Sequence, residues 1–223
     1  MLFPIGDDNI KGGYAPIFSY GFILLNVLVF LFQTSMPSGT QAAFVETWGV
    51  VPFQITQGIE LQTLLTSIFL HGSWLHLLGN MLYLWIFADN IEAVVGNIRF
   101  LIFYLAGGLL AALAQVAFDP QSGIPMVGAS GAIAAVMGAY VVMFPGSRVK
   151  MLFLLFFIVF YVPSWVFLGL WFVQQALSGI GSIGLELEGG GGIAWWAHIG
   201  GFVFGLLAGA FFRDQSYARR FER

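Results

Sequence analysis

Cysteine is missing from all 223 residues of this chain, and only 9% of them carry a formal charge. Without a thiol there is no disulfide, no thiolate nucleophile and no thiolate-held metal. So little charge leaves no basic stripe of the kind that tracks a phosphate backbone, and nucleic acid is not an expected partner. Imidazole is scarce too, confined to His71, His76 and His198. His71 and His76 stand five apart, which turns them to different faces of a helix, and no His-Glu-x-x-His string occurs. Neither a metal nor any other cofactor is therefore expected.

What the chain has in excess is apolar surface: 59% of it is hydrophobic and 17% aromatic, a membrane composition rather than a soluble one. A helix needs about 20 apolar residues to cross about 30 Å of hydrocarbon. Runs near that length occupy 16–33, 75–92, 98–118, 128–145, 150–174 and 195–212. The pattern predicts an all-α polytopic membrane protein, with residues 1–223 as a single domain of six transmembrane helices. Asp7 and Asp8 spoil a basic leader and no small-residue cleavage site follows the first run, so that run is expected to persist as a signal anchor.

Six spans put Lys11, Arg99, Arg148, Lys150, Arg213, Arg219, Arg220 and Arg223 all on one side. By the positive-inside rule that side is the cytoplasm, and both termini belong there. On the outer side, the long segment 34–74 carries Phe44, Trp48, Val51, Phe53 and Leu64. A structureless loop of that length and composition is implausible. It is expected to lie partly in the outer leaflet, with Trp48 as an interfacial anchor. The other outer segment, 175–194, has seven glycines between 179 and 192, and a mobile lid and a passive linker suit it equally.

Spans 2, 4 and 6 then run from outside to inside, so residues near their N-terminal ends share a depth. His76 and Asn80 begin span 2 four residues apart, on one helical face. Ser130 opens span 4 and His198 opens span 6. Each has a bland alternative: a serine among glycines packs helices, and an asparagine bridges them. An intramembrane histidine is costly and leans functional. Together the four can do chemistry, because a serine beside a base is an activated nucleophile. His76, Asn80 and the Ser130 amide could donate to a developing oxyanion.

Packing favours that meeting. Ala197, Gly201, Gly205 and Gly209 recur at fourfold spacing, as do Ser130, Ala134 and Gly138, and such stripes let helix backbones approach. Phe202 is expected to point away from the contact. No strand precedes Ser130, which excludes a soluble-type nucleophile elbow. The nearest carboxylates, Glu186 and Glu188, sit in the glycine-rich segment, so a Ser-His dyad is preferred to a triad.

Three strings in this order, HGSWLHLLGN from His71 to Asn80, GASGA around Ser130 and AHIGG around His198 with Gly205 beyond, resemble those of the rhomboid family of intramembrane serine proteases. The resemblance extends over all six spans and implies a rhomboid-like bundle. It implies Ser130 as nucleophile, His198 as general base and acid, and His76 with Asn80 as oxyanion donors. Transmembrane proteins would be the substrates, cut in or beside their helices, with 34–74 embedded and 175–194 capping the site. Many members carry an aromatic residue four after the serine, where this chain has Ala134; Trp195 or Trp196 is the ring expected to support His198 instead. A catalytically silent relative that binds membrane-protein clients is the alternative, and loss of Ser130 or His198 would mark it. A transporter would show inverted repeats around a midplane site. The expected location is a bacterial or archaeal cell membrane, with the site opening outward.

Overall fold

A computed structural model describes residues 2–182 and 193–221. In chain order the elements are β1 (Leu2–Asp7), α1 (Ile17–Thr34), α2 (Ser38–Trp48), α3 (Pro52–Thr56), α4 (Thr63–Thr66) and a 3-10 turn at Ser67–Phe69. There follow α5 (Trp74–Val95), α6 (Asn97–Phe118), α7 (Ser130–Met143), β2 (Arg148–Phe153), β3 (Ile158–Pro163), α8 (Ser164–Gly181) and α9 (Trp195–Phe221).

The long helices are inside out relative to a soluble protein. α1 buries Ser19, Asn26 and Gln33 against the bundle, while Leu24, Leu28 and Phe32 are more than half exposed. An outward apolar face with polar groups turned inward suits hydrocarbon as solvent and would aggregate in water. Ile17–Thr34, Asn97–Phe118 and Trp195–Arg213 are each long and apolar enough to cross a membrane.

α7 forms the axis of the bundle. It is buried along almost its whole length and packs on α5, α6, α8 and α9. Its tightest neighbour is α9, and small residues explain why. A Cβ on Gly201 would strike the Gly131 carbonyl and approach Ala134 Cβ at 3.3 Å; one on Gly205 would strike the Ala135 carbonyl, and one on Gly209 would come 2.7 Å from Ala139 Cα. The Phe202 side chain is buried and stacks on Phe172 of α8, with ring centroids 4.6 Å apart, while its carbonyl faces Gly138 of α7.

Distant residues finish the helix ends. α1 has no acidic residue in its first turn. Glu92 of α5, fully buried, instead accepts the Phe18 amide at 2.9 Å and the Ser19 amide and hydroxyl at 2.7 Å. It meets both the unpaired first-turn donors and the positive end of the helix dipole. Between α5 and α6 the chain reverses at Gly96, whose φ of +89° favours glycine.

Two expectations fail here. The run 150–174 is not one helix. Its first part forms β2 and β3, an antiparallel hairpin, and β1 pairs with the other edge of β2 in a three-stranded sheet of order β1-β2-β3, so the fold is not purely helical. An unbroken apolar run has no period with which to tell strand from helix. The local chemistry favours strand, with Val149 and the stretch Ile158–Val162 β-branched or aromatic. Pro163, which a helix interior would not tolerate, stands just ahead of α8. The outer segment drawn from 175 also begins too early, because α8 continues to Gly181; residues 183–192, with Glu186 and Glu188, lie outside the described residues. Segment 34–74, by contrast, is as expected not structureless, being built of α2, α3, α4 and the 3-10 turn.

Candidate active site

Ser130 is the first residue of α7 and His198 lies in the first turn of α9. Their helices touch through the glycine stripe, and His198 Nε2 sits 2.8 Å from Ser130 Oγ. Both residues are half-buried. As part of an N-terminal turn, the Ser130 amide has no acceptor within its own helix.

The entry to α7 is shaped by Gly128, at φ +127°. A Cβ there would come 2.7 Å from His76 Nε2 and 3.5 Å from Asn80 Nδ2. Both side chains of α5 thus lie over the backbone two residues before Ser130. Ser73 starts α5 by accepting the His76 amide at 3.1 Å, the usual N-cap arrangement. The Gly72 amide donates to His76 Nδ1 at 3.4 Å, which leaves the His76 proton on Nε2, facing Gly128.

Asn80 is held by a residue that sequence reasoning set aside. Its Nδ2 donates to His71 Nε2 at 3.0 Å. His71 is fully buried in the link ahead of α5 rather than in the helix, so its five-residue spacing from His76 has no helical meaning. Burial, and then the neighbouring His76, push the His71 ring down to about 3, and it stays a neutral acceptor. Gln33 of α1 pins the His71 backbone by donating to its carbonyl at 2.8 Å. One Asn80 N–H is thereby engaged, and among the described residues the second has no partner.

Further supports of His198 come from elements that spacing could not connect. Gln115 of α6 accepts the Trp196 amide at 3.1 Å and the Ala197 amide at 3.3 Å, capping the start of α9. Around the ring, Trp195 stands edge-on at 6.3 Å and Trp171 of α8 is tilted at 5.9 Å, centroid to centroid. Trp196, the other candidate, instead stacks on Phe118 at 3.8 Å. Ala134 has no room for a larger ring, since it is fully buried opposite Gly201. On the remaining side, Gln175 Oε1 lies 2.7 Å from His198 Nδ1.

Beside Ser130 is a cavity of about 40 Å³ lined by Ser67, Met126, Gly128, Gly131 and Ala197 among others. A water needs roughly 10–15 Å³ of such space, so the cavity has room for more than one. Its roof is fastened where Val50 and Met126 exchange amide hydrogen bonds at 3.0 and 2.7 Å, and where Gly128 donates to the Ser67 carbonyl at 2.9 Å. A pocket of this size, a paired serine and histidine, and two side-chain donors over one glycine are the parts an acyl-transfer site needs.

The chain is similar to known proteins. The Rhomboid domain model matches residues 59–215. Rhomboid protease GluP of Bacillus subtilis is 36% identical over 124 residues, 56% of this chain and 24% of that protein. Human presenilin-associated rhomboid-like protein, mitochondrial, is 29% identical over 207 residues, 89% of this chain and 48% of that protein. Putative rhomboid protease YdcA of Bacillus subtilis is 32% identical over 123 residues, 55% of this chain and 60% of that protein. The chain thus spans between about a quarter and three fifths of these relatives' lengths. The domain match covers α4 through most of α9, including the helices that carry Ser130, His198, His76 and Asn80, and on that ground the chain belongs to the rhomboid family of helical membrane proteins.

Proposed function

We propose that this protein is an intramembrane serine endopeptidase that cuts transmembrane proteins in or beside their helices through Ser130 and His198. The reading rests on one observation above all, the 2.8 Å separation of Ser130 Oγ and His198 Nε2. The relatives named as rhomboid proteases support it.

In the proposed reaction Ser130 Oγ attacks the scissile carbonyl carbon as its proton passes to His198 Nε2. The carbonyl oxygen becomes an oxyanion, for which the Ser130 amide, His76 Nε2–H and Asn80 Nδ2–H are the donors. The C–N bond then breaks, and His198 returns the proton to the leaving amine. Water from the cavity, deprotonated by His198, attacks the acyl ester, and the proton goes back to Ser130 as the acid product departs.

We take the membrane topology to be six spans, α1 and α5 to α9. Residues 2–15, the α5–α6 turn and the sheet gather at one end of the bundle, where Tyr14 bonds to Ala93 and Asp8 to Arg148. The described cations share that end, which reads as cytoplasmic. The site lies at the other end, open to the outside. α7, at 14 residues, is about 21 Å long against about 30 Å of hydrocarbon, so Ser130 sits below the surface and water must come to it through the cavity.

Labelling by a fluorophosphonate and cleavage of a model transmembrane substrate test the reading. Wild type should do both and Ser130→Ala neither, at an unchanged melting temperature. Equal turnover by the two proteins would sink it.

A further inference from the structure

Gln175 is only 4% exposed, in a helix whose other faces are almost wholly apolar. Burying an amide is costly unless its hydrogen bonds are made. Both ends of this one are engaged: Nε2 donates to Gln174 Oε1 at 2.6 Å, and Oε1 lies 2.7 Å from His198 Nδ1. The first contact orients the amide, because with Nε2 committed to Gln174 the oxygen is what faces the imidazole. Trp171, one turn earlier in α8, packs on the same ring, so α8 offers His198 a wall and an acceptor together.

A neutral imidazole has one proton and two places to put it. To take a proton from Ser130, Nε2 must keep its lone pair, so the proton must sit on Nδ1. An acceptor at Nδ1 enforces that choice, which is the task a buried carboxylate performs in a Ser-His-Asp site. Among the described residues, the hydrogen-bond partners of the His198 ring are Ser130 and Gln175.

We propose that Gln175 is the positioning residue of His198: its side-chain oxygen accepts the Nδ1 proton and fixes both the tautomer and the ring direction, making the site a Ser130-His198-Gln175 triad with an amide in place of the acid. The inference rests on the protease reading and deepens it. Unlike a carboxylate, the amide adds no negative charge to a site inside the membrane, where an unpaired charge is expensive. It stabilises the transient imidazolium with a dipole alone, so its removal should cost less than the about 10⁴-fold seen when the acid of a Ser-His-Asp site is replaced.

The test compares wild type, Ser130→Ala, Gln175→Leu and Gln175→Glu in one detergent, measuring kcat and KM separately, the rate of fluorophosphonate labelling, and melting temperature. Gln175→Leu should lower kcat and the labelling rate together by roughly 10- to 100-fold, the loss seen when the partner that orients a metal-bound imidazole is removed, with little change in KM. Gln175→Glu keeps an acceptor oxygen at the same reach and should recover most of that loss. A Gln175→Leu protein within about threefold of wild type in kcat, a loss confined to KM, or equal losses in both variants would each overturn the proposal. If wild type and Ser130→Ala do not differ, the protease reading falls with it; if they differ and Gln175→Leu matches wild type, only the role of Gln175 is lost.

Discussion

Gly201 of α9 lies against the carbonyl of Gly131, the residue that follows Ser130. Ser130 and the glycine three residues beyond His198 are therefore parts of one backbone contact. Whatever separates α7 from α9 must also separate Ser130 from His198.

Gly201→Leu should for that reason lower both melting temperature and cleavage rate. A displacement of about 1 Å at a reacting pair can cost about 100-fold. Gly169 of α8, where an added Cβ meets nothing within 4 Å, is the control, and Gly169→Leu should behave as wild type. Normal activity in Gly201→Leu would show that the dyad does not depend on this contact.

Asn80→Ala should lower kcat by roughly 10²- to 10³-fold with KM nearly unchanged, as loss of one oxyanion donor does elsewhere. His71→Leu removes the acceptor that orients Asn80 and should give a smaller loss of the same kind. Steady-state kinetics on both variants checks this, and an unaltered kcat in Asn80→Ala would make the side chain a packing element.

Glu92→Ala leaves the Phe18 and Ser19 amides of α1 without their acceptor, the first half-buried and the second buried. Each unmet buried donor costs about 1–3 kcal/mol, so melting should fall by several degrees even though Glu92 lies at the end of α5 remote from Ser130. Glu46→Gln, on an exposed side chain, should leave melting unchanged. A Glu92→Ala protein as stable as wild type would mean that α1 does not need this cap.

Asp7 of β1 predicts a pH response. Burial pushes its carboxyl up to about 6, against the opposing hydrogen bonds from Tyr140 and Asn90. Because the folded state holds the proton more tightly than the unfolded chain, whose value is 3.8, this group favours folding most below that value. Its contribution is lost as pH rises through about 6. Melting temperatures between pH 4.5 and 7.5 should show this component in wild type and lack it in Asp7→Asn; identical profiles would refute the assignment.

Much of the site was legible in the sequence. Ser130, His198, His76 and Asn80 stand at corresponding ends of three apolar runs, and small residues at fourfold spacing mark the faces that meet. Both signals are local, carried by residue type and helical period, and hydrophobicity needs no knowledge of neighbours. The same locality explains the error at 150–174. From Met151 to Phe160 every residue is apolar, no period survives, and pairing with β1 from the far end of the chain decides in favour of strand.

The supports of the site were out of reach for a related reason. Gln175 lies 23 residues from His198, Gln115 lies 81 from Trp196, and Glu92 lies 73 from Ser19. A glutamine or glutamate in an apolar run looks alike whether it caps a helix, orients an imidazole or faces lipid. The sequence by itself determined the solvent of the long helices, the chemistry at their ends and the faces able to touch. Only the tertiary structure decided which acceptor each buried donor meets, because a hydrogen bond depends on a few tenths of an ångström between distant residues, and that distance exists only once α6, α8 and α9 have packed around α7.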